Sequence, residues 1–405
     1  MRYGRDRLGR VAAVGLAAAG LAAGMAAGLA AGGAALAQVG GAEARSATPR
    51  ALILTLPGGA PVPDLDALAA LARGHDLVVL GEIHDNPRHH ALQAELVRRL
   101  APTGLAYEML KSTDAPALAA LRRSGAPEAE LRAAAEAGGW AAYLPSMLAA
   151  PDAPIAGAGL SRDMLRLAIG DSAAAAIGPA LREAGEPGEA GAVYGLDAPP
   201  DAAAQAQVEA EMAEAHCGAL PEAMLPGMAE AQRLRDAAFA AALLRARRAG
   251  LALMGAQDAP RGGARAGSSP AGHAGGVERG GGDGTGDGAG SGREQAAPAR
   301  VSAGPAVLVT GDGHARRDRG VPAYLGRAAP GLATLSVAMV EWPDGVSFDA
   351  DGSGPDGSEP DWRAALAPWA PEGGPAEAAP FDIVVITARA EREDPCAGFA
   401  TPAQD

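Results

Sequence analysis

The chain has 405 residues, 48% of them hydrophobic but only 3% aromatic, and a formal net charge of −14 at pH 7. Its core must therefore be built mainly from Ala, Leu and Val. The acidity is scattered and no basic patch or stripe is visible, which excludes a nucleic-acid partner.

Taken in chain order, Arg2, Arg5, Arg7 and Arg10 precede an Ala/Gly/Leu/Val stretch that runs to Leu36. Ala35-Leu36-Ala37 supplies an A-x-A cleavage site, so residues 1–37 read as a secretory signal and residues 38–50 as a linker. The expectation is export to the periplasm and a soluble mature protein. An uncleaved membrane anchor is the alternative, although Ala and Gly insert weakly.

From residue 51, short apolar runs alternate with helical patterns. The runs at 52–56, 77–80, 105–109, 155–160, 306–310, 334–340 and 381–387 read as strands. They are mostly continuous rather than alternating, which suits strands of a parallel sheet buried on both faces. Helical spacing appears at 64–72, 87–100, 115–122, 129–137, 173–184, 200–216 and 221–248. The alternation predicts an α/β fold with a mainly parallel central sheet flanked by helices. One domain is expected over 51–256 and 301–400, with a helical insertion across about 111–250. Residues 257–300 are dominated by Gly, Ala, Ser and Arg and read as a disordered insertion. Residues 349–380 read as a flexible loop in which Trp362 and Trp369 can dock.

Two strands end in the same device. Leu77-Val78-Val79-Leu80 leads into Gly81-Glu82-Ile83-His84, and Val307-Leu308-Val309-Thr310 leads into Gly311-Asp312-Gly313-His314. A glycine at the strand exit permits a sharp turn and close backbone approach. Each histidine then stands just beyond the carboxyl end of its strand, where open α/β sheets bind ligands. Glu108 ends the 105–109 strand, and Arg162 follows the 155–160 strand in a comparable position. On the helix that starts at Pro87, His89 or His90 shares a face with Gln93, a face either solvated or turned to the site. Gln232, Arg235 and Asp236 on the inward stripe of a long helix read as a buried network supporting the site. Two imidazoles and a carboxylate (His84, His314 and Glu108) suit a divalent metal ion. The same groups equally suit a porphyrin, with an imidazole on iron and an arginine such as Arg316 on a propionate. Cys217 and Cys396 form either one disulfide or two free thiols.

The stretch Gly81-Glu82-Ile83-His84-Asp85-Asn86-Pro87-Arg88-His89-His90, with Gln93, resembles the signature of ChaN-like haem-binding proteins. So does His314-Ala315-Arg316-Arg317-Asp318-Arg319-Gly320-Val321-Pro322, with Tyr324 and Leu325. Glu108-Met109, Trp140 with Tyr143 and Pro145, His216-Cys217-Gly218 and Asp394-Pro395-Cys396 add to the resemblance. It implies an exported haem-binding protein of iron acquisition, more a carrier than an enzyme. His84, His89, His90, Tyr143, His314 and Arg316 are then the cofactor-binding residues; a tyrosinate on iron would come from Tyr143 or Tyr324, either of which can instead be a buried tyrosine making one hydrogen bond, the reading preferred for Tyr324. The implied partners are haem, a second copy of the chain, and an outer-membrane haem or iron receptor. The wider group that includes the Tiki and TraB proteins implies a competing reading as a metal-dependent hydrolase. In that reading His84, His314 and Glu108 hold the ion, and Glu82, Glu108 and Arg162 are catalytic.

Overall fold

The continuous apolar runs become the strands of one sheet. The structure, a computed structural model, describes residues 51–188, 192–258, 303–343, 361–371, 374–394 and 396–397. The expected signal, the linker and nearly all of the Gly-rich 257–300 stretch lie outside these residues. The strands are β1 (Ala51–Thr55), β2 (Ala60–Pro61), β3 (Leu77–Glu82), β4 (Gly104–Lys111), β5 (Ile155–Gly159), β6 (Ala306–Gly311), β7 (Thr334–Glu341) and β8 (Ile383–Thr387). They lie in the order β2-β1-β8-β7-β3-β6-β4-β5. From β8 to β5 every neighbouring pair is parallel, while β1 joins β8 and β2 antiparallel at one edge. The sheet is thus mixed but mostly parallel.

The helices are α1 (Leu65–Ala72), α2 (Pro87–Leu100), α3 (Ala115–Arg123), α4 (Glu128–Gly138), α5 (Leu144–Leu148) and α6 (Arg162–Gly170). They continue as α7 (Ala173–Glu183), α8 (Ala202–Ala215), α9 (Leu225–Asp258), α10 (Asp312–Ala315), α11 (Val321–Ala328) and α12 (Arg363–Leu366). Along β3 the pleat sends Leu77 and Val79 into a core shared with α7, α9 and α11. Val78 and Leu80 face the opposite core, shared with α1 and α2. All four side chains are fully buried, and each contributes about 1.5–3 kcal/mol of transfer free energy. This two-sided burial is why the run shows no polar alternation. The long helix α9 lies close on β4 because glycine stands at both contacts. A Cβ on Gly104 would strike the backbone of Ala246, and one on Gly250 would strike the backbone of Thr103.

Three expectations change. The 111–250 stretch is no separate helical insertion: β5 within it forms the sheet edge and α9 covers one face. Helix α6 follows β5, where the sequence pattern suggested none. Part of the supposed 349–380 loop is packed. Leu366 of α12 is fully buried, and Trp369 stacks edge-on against Phe381 with ring centroids 5.6 Å apart. Among the described residues no helix is long and apolar enough to cross a membrane. Cys217 and Cys396 are disulfide-bonded, with Cα atoms 5.5 Å apart, which settles the choice that their spacing left open.

Candidate functional site

The two Gly-x-x-His turns emerge side by side because β3 and β6 are neighbours, with Gly81 opposite Thr310 and Glu82 opposite Gly311. Each glycine makes room for the other turn. A Cβ on Gly81 would lie 2.8 Å from both the Cα of Asp312 and the Cβ of Ala315. A Cβ on Gly311 would lie 3.1 Å from Nε2 of His84. Neither turn can approach the other if its partner's glycine carries a side chain.

Glu82, at the end of β3, is buried and its carboxylate is saturated. Oε1 accepts from the Tyr143 hydroxyl at 2.5 Å and lies 3.0 Å from Nδ1 of His84. Oε2 accepts from the Gln93 amide at 2.6 Å and lies 3.4 Å from Nε2 of His90. Burial pushes this carboxyl up, but the hydrogen bonds from His84 and Tyr143 and the nearby His90 imidazole outweigh it and hold the pKa at about 2. His84 thus donates from Nδ1 to a fixed anion. That bond is the main cause that raises its pKa, against the opposing effect of burial. The His84 side chain remains 45% exposed.

Glu108 stands between the two histidines. Its Oε2 accepts from the Thr310 hydroxyl at 2.7 Å and the Gly311 N–H at 2.8 Å. Nε2 of His84 lies 3.8 Å from Oε2, and Nε2 of His314 lies 3.7 Å from Oε1. Burial pushes the Glu108 carboxyl up, yet the two imidazoles and these donors bring it below the usual carboxylate range. His314 in turn places Nδ1 2.6 Å from Oδ1 of Asp236 on α9, with the Gln232 amide 3.2 Å away. Burial lowers the His314 pKa, but Glu108 and Asp236 raise it by more. The supporting network expected of Gln232 and Asp236 is therefore present, built around His314.

The other expected residues separate. His89 is wholly buried with both ring nitrogens engaged. Nδ1 accepts from the Ile83 N–H at 3.0 Å, and Nε2 lies 2.9 Å from the Thr387 hydroxyl. Burial, only partly offset by Glu341, depresses its pKa to about 4, so it stays neutral and braces the turn rather than facing a ligand. His90 packs against Tyr143, with ring centroids 5.0 Å apart. Tyr143 is buried, and burial together with the neighbouring Glu82 keeps its phenol protonated. Arg316 is buried in a two-pronged pair with Asp318, at 3.0 and 2.8 Å. Arg162 is exposed at the start of α6, and among the described residues no hydrogen bond or ion pair joins it to the cluster. Nor is any group of three His, Cys, Asp or Glu among them arranged to hold a metal ion.

One supporting element was not anticipated. After β8 the chain crosses the first turn, and Arg392 reaches Asp85 at 2.8 Å and both oxygens of Glu341 at 2.7 and 2.6 Å. Asn86 also donates to Glu341, at 2.7 Å, while capping α2 through the Arg88 N–H. The only local signal for this clamp was Asn86 before Pro87, a helix start.

The family model for haem-binding uptake proteins of the Tiki superfamily, ChaN, matches residues 68–257. A solved structure of cofacial heme binding to ChaN of Campylobacter jejuni is similar at 15% identity. That match covers 84% of this chain and 97% of that one, with a TM-score of 0.46. No curated protein matches the chain.

Proposed function

The chain belongs, through residues 68–257, to the family of haem-binding uptake proteins of the Tiki superfamily, ChaN, and from that premise we propose that it binds haem at the carboxyl ends of β3, β6 and β4. The observation that carries this reading is the state of His84. Of the histidines gathered here it alone combines an exposed ring with an Nδ1 fixed on a buried carboxylate. An imidazole oriented in this way presents Nε2 as a metal ligand and gains basicity from its partner. Such an imidazole fits a haem iron.

In this reading His84 would hold the haem iron, with Glu82 fixing its tautomer. Tyr143, Gln93 and His90 keep Glu82 anionic and in place. Glu108 and the Asp236–His314 pair form a charged floor fixed by Thr310 and Gly311. Haem, when bound, supplies the iron centre and the absorbance by which binding is read. The arginine-led apolar N-terminus supports export, and a role in iron acquisition follows from the family's description as uptake proteins. The reading is tested by adding haemin to the isolated full chain and following the Soret region. A saturable, shifted band is expected, and a spectrum equal to the sum of free haemin and protein overturns it.

A further inference from the structure

Behind His314, on the side away from Glu108 in the hydrogen-bond chain, Gln232, Asp236 and Gly313 border a cavity of about 830 Å³. That is within the size range of small-molecule sites. Its opposite wall is α8. The apolar residues Ala204, Val208 and Met212 recur at every fourth position and line the cavity. Yet α8 buries no residue at all. The stripe meets open space where a packed helix would meet core. The helix is nevertheless held at its C-terminal end, because Cys217 just beyond it is bonded to Cys396 of the tail. Trp369 adds a half-buried aromatic surface to the same wall.

The arginines of the cavity indicate what it takes. Arg233 pairs with Glu230 at 2.6 Å, Arg316 pairs with Asp318 at 2.8 Å, and Arg319 pairs with Glu211. Arg327 differs: its guanidinium lies over the Tyr324 ring, 5.3 Å from the centroid, and has no carboxylate partner among the described residues. Its side chain runs against Gly195, whose φ of +69° and missing Cβ leave the space it uses. The lining also carries Asp201 and Glu214, which no ion pair joins to an arginine among the described residues, so an anionic head is placed at Arg327 itself, with an apolar body along the wall of α8.

We propose that the cavity between α8, α9 and α11 is a second ligand site, distinct from the His84 face, for an amphipathic organic anion. Its apolar body lies along Ala204, Val208, Met212 and Trp369, and its carboxylate or other anionic head pairs with Arg327. This does not rest on the haem reading: the residues given to the ligand, Arg327, Ala204, Val208, Met212 and Trp369, are not assigned to haem, although Asp236 of the haem-site floor and Arg316 also border the cavity, and binding is first tested on haem-free protein.

The test is calorimetric titration of the full chain with dodecanoate, a probe with one carboxylate and an unbranched apolar body. Saturable binding is expected. Arg327→Ala, at an exposed position, should weaken it about tenfold, the loss of one charged hydrogen bond. Val208→Trp should weaken it by obstructing the apolar wall along which the ligand's body lies, without disturbing the core, because α8 buries no residue. Haem bound beforehand should leave the dodecanoate affinity unchanged. Absence of saturable binding, or binding that survives both substitutions, overturns the proposal. Competition between haem and dodecanoate also overturns it, because the cavity would then be the seat of haem itself.

Discussion

His84 and His314 each direct Nε2 toward a different oxygen of Glu108, at 3.8 and 3.7 Å, while a second carboxylate holds each Nδ1. The five groups form one charged line across the ends of three adjacent strands. Its two halves differ in burial. Glu82 and His84 open to solvent through the half-exposed His84 ring, whereas His314 and Asp236 are enclosed. The exposed half is therefore suited to a ligand and the enclosed half to support.

The role given to Glu82 predicts a division between two substitutions. Glu82→Gln removes the charge that orients His84 and should lower haem affinity about 10–100-fold, the usual cost of losing the partner of a metal-bound histidine. Tyr143→Phe removes one charged hydrogen bond. It should cost about 1.5–3 kcal/mol in stability while leaving the Soret position of the complex unchanged. Urea unfolding and absorbance spectra of both variants check this.

On the enclosed side, Asp236→Ala leaves a buried imidazole facing Glu108 without its second anion. Breaking such a pair should destabilise the fold by about 3–5 kcal/mol. Adding His314→Ala should cost much less than the sum of the single changes, because the two residues act as one unit. The denaturation midpoints of the two single variants and the double variant give the coupling.

His89 sets a pH window for stability. Its pKa is about 4 in the fold, against about 6.5 in the unfolded chain. Between these values the unfolded chain binds a proton that the folded one refuses. The contribution of a neutral His89 is therefore complete above pH 6.5 and is lost as pH falls toward 4. It amounts to on the order of 3 kcal/mol. Glu82, held at about 2, is shifted in the same direction over a lower window: its contribution is present above its unfolded pKa near 4.5 and is lost as pH falls toward 2. Urea midpoints measured from pH 7 to 4 should fall steadily for the native chain and more shallowly for His89→Gln.

The tail clamp is also open to test. Arg392→Ala frees Asp85 and leaves Glu341, which is nearly buried, without its cation. A stability loss of about 1.5–3 kcal/mol is expected. Limited proteolysis should cut the chain between His84 and Pro87 faster than in the native protein, because the turn has lost its strap. Equal cleavage rates would show that Arg392 does not hold the turn.

Much of the frame was legible because it depends on local patterns. Strands buried on both faces show as apolar runs, and a glycine followed by histidine at a strand end marks a turn at the sheet's ligand-binding edge. What the motif could not reveal was the reciprocal packing of Gly81 on Asp312 and Ala315 and of Gly311 on His84, which needs β3 and β6 to be neighbours. Roles within the motifs were harder. Glu82 and His89 look as available as His84 in the sequence, but the pleat and the helix phase turn the first two inward. Tyr143 looks like a ligand until its burial beside a carboxylate is seen. Arg392 lies far along the chain from Asp85, so no local pattern could join them.

The central claim, that His84 is the haem ligand, is tested most directly by haemin titrations of the native chain, His84→Ala and Tyr143→Phe, side by side and followed by absorbance. The account predicts a saturable, shifted Soret band for the native chain and for Tyr143→Phe, and its loss in His84→Ala. A band that persists in His84→Ala and disappears in Tyr143→Phe would contradict it and move the iron to the tyrosine.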